Sequence, residues 1–291
     1  MNPRELVPRV NKLISWHTGN ATYREVQDSW DSQWVDRKPI LVPKEFDGGI
    51  NMALFAIRNY MEARAGTETP FLPQRMLEVG CGPASRSIQI AQELGIKKLL
   101  LLDTSHQALT LQARPLAEEV NFSNECQPIQ ASMFDIPLDN GSVDVVFAYG
   151  PHDHLFGEER QRAFDEMQRV TDVNGIGIVI LPSQLNPFWT AEMIIKVLNG
   201  TWSHSPTKFF TPGELVKRMI NAGYERVGLY GSEFYKSWTR VLPREQQLIR
   251  FNHPTGMASI DKWLQKKDFE FDSFLNRYFG GAMMAVGYRS R

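Results

Sequence analysis

Residues 75–103 of this 291-residue chain read RMLEVGCGPASRSIQIAQELGIKKLLLLD. The opening residues are mostly apolar and predict a short strand, which breaks at a turn containing Gly80 and Gly82. A helical pattern follows over 86–94, and a second apolar run then ends in the carboxylate of Asp103. The stretch therefore predicts a strand, a glycine turn, a helix and a second strand.

This arrangement suits a nucleoside ligand. Glycines at 80 and 82 let the backbone approach a ligand closely, and the free N–H groups at the start of the helix face the same place. Asp103 lies at the carboxyl end of the neighbouring strand, where it can accept hydrogen bonds from a ribose diol. Dinucleotides and S-adenosylmethionine both use this layout, but a dinucleotide fingerprint places Gly where this chain has Ser85.

Five ordered motifs carry a resemblance to a known family. Residues 78–82, EVGCG, followed by Asp103, resemble the nucleoside-binding signature of class I S-adenosylmethionine-dependent methyltransferases. The family's P-x-x-D-x-S-F-D-x-V run is similar to PLDNGSVDVV at 137–146, with Val143 in place of Phe. Its E-x-x-R-V-L-K-P-G-G, F-T-x-x-E-L and A-G-F motifs are similar to segments 166–180, 211–215 and 222–224. The resemblance spans residues 75–233 in the family's order.

The resemblance and the order of elements predict the same α/β fold. Strands and helices alternate from 75 to 181, which is typical of parallel pairing. The family implies a Rossmann-like, doubly wound, mostly parallel seven-stranded sheet with helices on both faces. Its last two strands form an antiparallel pair, for which 225–230 and 282–288 are the candidates. We further predict a helix over 107–120 that is interrupted or bent at Pro115, and a third strand at 129–131.

Two regions extend the expected domain. Residues 1–70 form a predicted helical extension, and residues 71–291 form a methyltransferase domain with insertions at 182–210 and 234–280 that act as a cap. The extension is rich in aromatic residues, which either pack on the sheet or form a lid over the ligands. In the lid interpretation, Tyr23, Trp30 and Trp34 lie nearest the acceptor, together with Trp189 from the first insertion.

The resemblance implies S-adenosylmethionine as cofactor and assigns its contacts residue by residue. These contacts surround the glycine turn and the carboxyl ends of the strands: Glu78, Gly80, Cys81, Gly82, Asp103, Thr104, Ser132, Met133, Phe134 and Tyr149. The adenine segment departs from the family, because Ser132 stands where an acidic residue commonly accepts from the adenine amino group. Asp135 takes that role instead if the register is shifted.

The segment after the fourth predicted strand contains the candidate catalytic residues, His152 and His154. Either imidazole is a candidate general base or acceptor-orienting group, and a purely structural role is the alternative. A His-x-His pair also suits a metal, but with only Asp153 nearby no metal is expected. We favour His154, which is further from the strand end.

Composition bounds the remaining choices. The net charge of -1 provides no excess positive charge for binding nucleic acid. No apolar stretch approaches the ~18 residues that span a bilayer. Only two cysteines occur, which favours a reducing, cytoplasmic location. We therefore predict a cytoplasmic small-molecule N- or O-methyltransferase, with a homodimer left open. The alternatives are a nicotinamide-dependent oxidoreductase and a catalytically silent subunit with the same fold.

Overall fold

The computed structural model describes residues 3–18, 23–35, 41, 47–122, 125–202, 205–235, 237, 263 and 266–290. These residues contain a seven-stranded mixed sheet with helices on both faces. The strands are β1 Arg75–Val79, β2 Lys98–Asp103, β3 Glu125–Gln130, β4 Val143–Tyr149, β5 Thr171–Leu181, β6 Glu225–Ser232 and β7 Ala282–Tyr288. Their order in the sheet is β3-β2-β1-β4-β5-β7-β6. The predicted fold class is confirmed.

The helices of the described residues are α1 Pro3–Thr18, α2 Tyr23–Val35, α3 Gly48–Arg64, α4 Ser85–Leu94, α5 Arg114–Glu119, α6 Glu159–Val170, α7 Pro187–Asn199, α8 Pro212–Asn221 and α9 Phe274–Phe279. A π-helix at Ala108–Ala113 precedes α5, and a 3-10 turn at Pro151–His154 follows β4. Within the described residues, no helix combines the length and apolar composition needed to cross a membrane.

Pairing in the sheet follows the hydrophobic pattern. The strands β3, β2, β1, β4 and β5 are parallel, and the central ones are apolar and buried on both faces, as such strands require. The strand β7 runs antiparallel between β5 and β6, which confirms the predicted antiparallel ending. One apolar cluster includes Ile57 of α3 and Ile88 of α4, and the other includes Phe164 of α6 and Leu215 of α8.

Several predicted boundaries differ from the structure. The third strand covers Glu125–Gln130 instead of 129–131, because an edge strand tolerates Pro128 where a central one would not. The predicted interruption near Pro115 is present: residues Ala108–Ala113 are π-helical, and α5 begins at Arg114, one residue before the proline. A proline at this junction lacks a backbone donor in the first turn of α5, where it is tolerated.

The N-terminal helices lie against the domain through specific polar contacts. Arg9 of α1 donates to the carbonyl oxygen of Leu198 in α7 at 2.6 Å. Gln112 of the π-helix donates to the carbonyl oxygen of Trp34 in α2 at 2.9 Å. The first insertion contains α7, which begins at Pro187 and is capped by Asn186, whose side-chain oxygen accepts from the N–H groups of Phe188 and Trp189. Most of the second insertion, from 238 to 262, lies outside the described residues.

Candidate cofactor and acceptor site

A cavity of about 500 Å³ opens at the carboxyl ends of β1, β2 and β4. Its wall runs from the glycine turn after β1, past Asp103 at the end of β2, to Tyr149 at the end of β4. Helices α2 and α7 and the segment before α8 close its other side. The cavity therefore occupies the place where open α/β sheets bind their ligands.

The glycine turn requires glycine for backbone reasons at two positions. Gly80 and Gly82 have φ values of 66° and 49°, in the left-handed region that other residues avoid. A Cβ at 80 would lie 2.6 Å from Pro151, whereas a Cβ at 82 would lie 3.1 Å from the ring of Trp34. Both positions therefore favour glycine for the backbone, and an added Cβ would also overlap Pro151 at 80 and press on the Trp34 ring at 82.

Asp103 holds the turn to the second strand. One carboxylate oxygen accepts from the N–H of Gly82 at 2.9 Å, and the other accepts from the N–H of Ser105 at 2.9 Å. Burial raises the pKa of this carboxyl, although the backbone donors oppose the shift. Each carboxylate oxygen has a further lone pair, so Asp103 can still accept from a ligand hydroxyl in the cavity.

Glu78 lies in the cavity wall beside the turn. Its side chain is buried, and the Ser87 hydroxyl donates to it. Burial raises the pKa of Glu78 to about 8, with the Ser87 hydrogen bond opposing the shift. A cationic group placed next to this carboxyl would favour its ionised form.

Arg86 is a wall residue that sequence reasoning missed. It is the second residue of α4, and its guanidinium Cζ lies 3.7 Å from the centroid of the Tyr149 ring. Its Nε is 2.9 Å from a carboxylate oxygen of Asp47, whose other oxygen caps α3 by accepting from the N–H of Ile50 at 3.0 Å. The sequence signal was the position of Arg86 directly after the turn, but its partner lies far away in the chain.

Aromatic side chains form the opposite wall. Trp30 and Trp34 of α2 stack with ring centroids 5.5 Å apart. Trp189 of α7 contacts Phe209 edge to face, with centroids 5.8 Å apart, and Trp202 also lies in the wall. Such walls exclude water and present ring faces that attract cations.

The two candidate histidines occupy different environments. His154 lies in the cavity wall, where its Nδ1 is 2.9 Å from the carbonyl oxygen of Pro206. Its ring packs edge-on against Trp30, with ring centroids 5.1 Å apart. The Ser205 hydroxyl is also 2.8 Å from this Nδ1. In the neutral tautomer that donates Nδ1–H to the Pro206 carbonyl oxygen, Nε2 keeps a lone pair. His152 is fully buried against Phe164, outside the wall, and burial lowers its pKa to about 3.

Of the remaining predicted site residues, most lie in the cavity wall and a few lie outside it. The cavity wall includes the predicted cofactor residues Glu78, Gly80, Cys81, Gly82, Asp103, Thr104, Met133 and Tyr149, and the predicted acceptor residues Trp30, Trp34 and Trp189. Ser132 and Phe134 are not part of it, and the Ser132 hydroxyl accepts from the N–H of Phe134 at 3.2 Å within their own turn. The side chain of Tyr23 lies outside the described residues.

Comparison with known proteins relates part of this chain to methyltransferase domains. Residues 76–175 match the family model for methyltransferase domains. No curated protein matches the sequence. Among solved structures, the phosphoethanolamine N-methyltransferase 2 of Haemonchus contortus, in complex with phosphomonomethylethanolamine and S-adenosylhomocysteine, is 13% identical with a TM-score of 0.54; the match covers 95% of this chain and 60% of that chain.

Two further structures share the fold. A candidate methyltransferase of Haloferax volcanii, in complex with the Trm112 methyltransferase activator, is 14% identical with a TM-score of 0.53, covering 90% of this chain and 98% of that chain. The [4+2]-cyclase SpnF is 15% identical with a TM-score of 0.51, covering 94% of this chain and 96% of that chain. At these identities the likeness shows the fold alone, and one fold supports different reactions.

Proposed function

We propose that this chain transfers a methyl group from S-adenosylmethionine to a small-molecule acceptor. The premise is that residues 76–175 match the methyltransferase-domain family and that the sheet has the class I fold. The transfer is an N- or O-methylation by direct displacement. One observation carries the proposal: a single cavity joins the glycine turn and Asp103 to an aromatic enclosure that contains His154.

The residues around the turn fit the cofactor. Gly80 and Gly82 border the cavity without a side chain, and Asp103 retains acceptor capacity for ribose hydroxyls. Glu78 and Arg86 offer a carboxyl and a guanidinium to the ammonium and carboxylate of the methionyl part. The bound cofactor would supply a methyl group activated by a sulfonium. The oxidoreductase alternative loses support, since the family match is to a methyltransferase domain.

The protein's task in such a displacement is alignment and exclusion of water. Holding two reactants in line is worth about 7 to 11 kcal/mol of the barrier when fully exploited. Trp30, Trp34 and Trp189 wall the cavity on the side of the N-terminal and inserted helices. In the proposed reaction, they keep the site dry, and His154 orients the acceptor or takes its proton through Nε2.

Residues 1–70 are proposed to act as a lid. The support is that α2 contributes Val26, Trp30 and Trp34 to the cavity wall, with Trp34 directly over Gly82. The proposed cytoplasmic location is supported by the two cysteines, both free, of which Cys81 is buried. A small acceptor is supported by the cavity volume of about 500 Å³, which must hold the cofactor as well.

Isothermal titration of the protein with S-adenosylmethionine and S-adenosylhomocysteine tests the proposal. Both should bind, and Asp103→Asn should weaken both by roughly ten-fold or more, since a hydrogen bond to a charged group is lost. An acceptor screen should then detect methyl transfer. Absence of binding for both ligands would refute the function, whereas binding without transfer to any amine, phenol or acid would favour the silent subunit.

A further inference from the structure

Asp153 differs from Glu78 and Asp103, two other carboxyl groups of the cavity wall. Glu78 accepts from Ser87, and Asp103 accepts from two backbone N–H groups. The Asp153 side chain belongs to a residue that is only 4% exposed, and its Oδ1 has no hydrogen-bond donor among the described residues. A buried carboxylate oxygen without a donor is costly, so the site is arranged for a partner that this part of the chain does not supply.

The neighbouring cationic side chains do not fill that role. The guanidinium of Arg160 donates to the carbonyl oxygens of Leu155 and Lys208 and to the carboxylate of Glu214. The Nε2 of His154 is 3.6 Å from Oδ1 of Asp153, which is too long for a hydrogen bond. Burial raises the pKa of Asp153, and a donor or cation in the cavity would relieve the cost of its charge.

Aromatic side chains line the same cavity as this carboxylate, namely Trp30, Trp189 and Phe209. Phe209 follows Lys208, whose N–H donates to the backbone carbonyl of Asp153 at 2.7 Å, and Phe209 contacts Trp189 edge to face. The ring centroid of Trp30 lies 5.1 Å from that of His154, the residue after Asp153. A carboxylate among indole and phenyl rings is an arrangement that attracts a basic nitrogen and disfavours an anion.

From this geometry we propose that Asp153 is the recognition group for the methyl acceptor, and that the acceptor is a small primary or secondary amine with an apolar body. This inference rests on the proposed function and names its substrate class. The amine binds with an N–H donated to Oδ1 of Asp153 and its carbon skeleton against the aromatic wall. An acid or a phenolate would instead place a second negative charge beside a buried carboxylate.

The atoms balance without a further reactant. The lone pair of the neutral amine nitrogen forms the new C–N bond, and the C–S bond breaks with its electron pair left on sulfur, giving S-adenosylhomocysteine. The positive charge passes from sulfur to nitrogen. The N-methylammonium product faces Asp153, which stabilises it, and one proton then leaves through the carboxylate or His154 Nε2 to solvent.

The test is a binding experiment on the full chain saturated with S-adenosylhomocysteine. Benzylamine, 2-phenylethylamine and tryptamine are titrated by calorimetry, each beside the alcohol and the carboxylate of the same skeleton. At least one amine should bind about ten-fold or more tightly than its alcohol, and the carboxylates should bind most weakly. The substitution Asp153→Asn should remove the preference for the amine while the affinity for S-adenosylhomocysteine is unchanged.

Three results would overturn the proposal: equal or tighter binding of the alcohols or carboxylates, a preference for amines that survives in Asp153→Asn, or no binding by any amine. If Asp153→Asn loses its cooperative thermal transition, the relative affinities of the unsubstituted protein for amines, alcohols and carboxylates still decide whether the proposal holds. If S-adenosylhomocysteine does not bind, the proposed function fails separately, and the series on the protein alone still decides whether Asp153 recognises amines.

Discussion

The guanidinium of Arg86 lies over the ring of Tyr149, with its Cζ 3.7 Å from the ring centroid, in the wall of the cavity. Asp47 holds the guanidinium from the other side through a 2.9 Å ion pair and also caps α3. The start of α3, the helix after the glycine turn and the end of β4 are thus joined at one point. A change at Asp47 should therefore affect more than its own helix.

Substitutions at Asp47 separate the cap from the ion pair. Asp47→Asn keeps a side-chain oxygen for the N–H of Ile50 but leaves Arg86 without its carboxylate, which should lower the free energy of unfolding by roughly 1 to 3 kcal/mol. Asp47→Ala also removes the cap and should cost about 1 kcal/mol more. Urea denaturation measures both. If Asp47→Asn unfolds as the parent does, the ion pair does not stabilise the fold.

The glycine turn offers a matched set of three alanine variants. Gly95, with φ of 65° and no neighbour within 4 Å of an added Cβ, measures the backbone cost alone, which should be about 1 kcal/mol. Gly80→Ala should lose considerably more stability, because its Cβ meets Pro151. Gly82→Ala should lose more stability than Gly95→Ala but less than Gly80→Ala, because its Cβ would lie 3.1 Å from the Trp34 ring, and it should bind S-adenosylhomocysteine more weakly. Unfolding by urea and ligand titration distinguish these outcomes, and retained affinity in Gly82→Ala would show that this position does not face the ligand.

Glu78 should give the ligand-free protein a pH-dependent stability. Its pKa is about 8 in the folded state, whereas the ordinary pKa of a glutamate, which applies to the unfolded chain, is 4.5. Between these two pH values the folded chain keeps a proton that the unfolded chain releases. The free energy of unfolding contributed by this group therefore falls as pH rises through that window and levels off above it. Glu78→Gln, which cannot ionise, should become progressively more stable than the parent from about pH 5 to about pH 8.

Urea denaturation of both proteins across that range measures the difference directly, and the contributions of the other titrating groups cancel between the two. A constant difference in unfolding free energy at every pH would mean that Glu78 is ionised throughout. Ser87 can still donate to the amide oxygen of the variant, so its hydrogen bond is kept.

The two histidines should respond differently to substitution. His154→Ala should lower turnover by about 10² to 10⁴-fold if Nε2 acts as a base, with the affinity for S-adenosylhomocysteine retained. His152→Leu should retain turnover and stability, because His152 is neutral, packed on Phe164, and neither ring nitrogen has a hydrogen-bond partner among the described residues. Initial rates at saturating cofactor measure this contrast. Unchanged turnover in His154→Ala would assign the rate to alignment and desolvation alone.

Removal of residues 1–39 tests the lid. Among the described residues, the two large apolar clusters contain no member before Ile50, so the shortened chain should keep a cooperative thermal transition. It should lose turnover and affinity for S-adenosylhomocysteine, because Trp30 and Trp34 no longer cover the site. Removal of residues 1–20 is the control, since the described part of α1 adds nothing to the cavity wall. Loss of the transition in the longer deletion would instead make the segment part of the core.

The fold and the cofactor end of the site were accessible from the sequence because their signals are local. Apolar runs ending at Val79 and Asp103 mark strands, and glycines at 80 and 82 mark a turn that needs left-handed backbone. Each of these preferences is decided by a residue and its immediate neighbours. Parallel pairing then brings the strand ends together at one edge of the sheet.

The acceptor end depended on tertiary structure, because it is built from side chains that are distant in sequence. Distance from the strand end favoured His154 over His152, but only the structure shows why they differ: the 3-10 turn buries His152 against Phe164 and places His154 against Trp30. The Asp47–Arg86 pair and the unpaired oxygen of Asp153 also arise only when helices and loops pack. Burial and hydrogen-bond partners are properties of the packed chain, and they decide which of several similar residues faces the ligand.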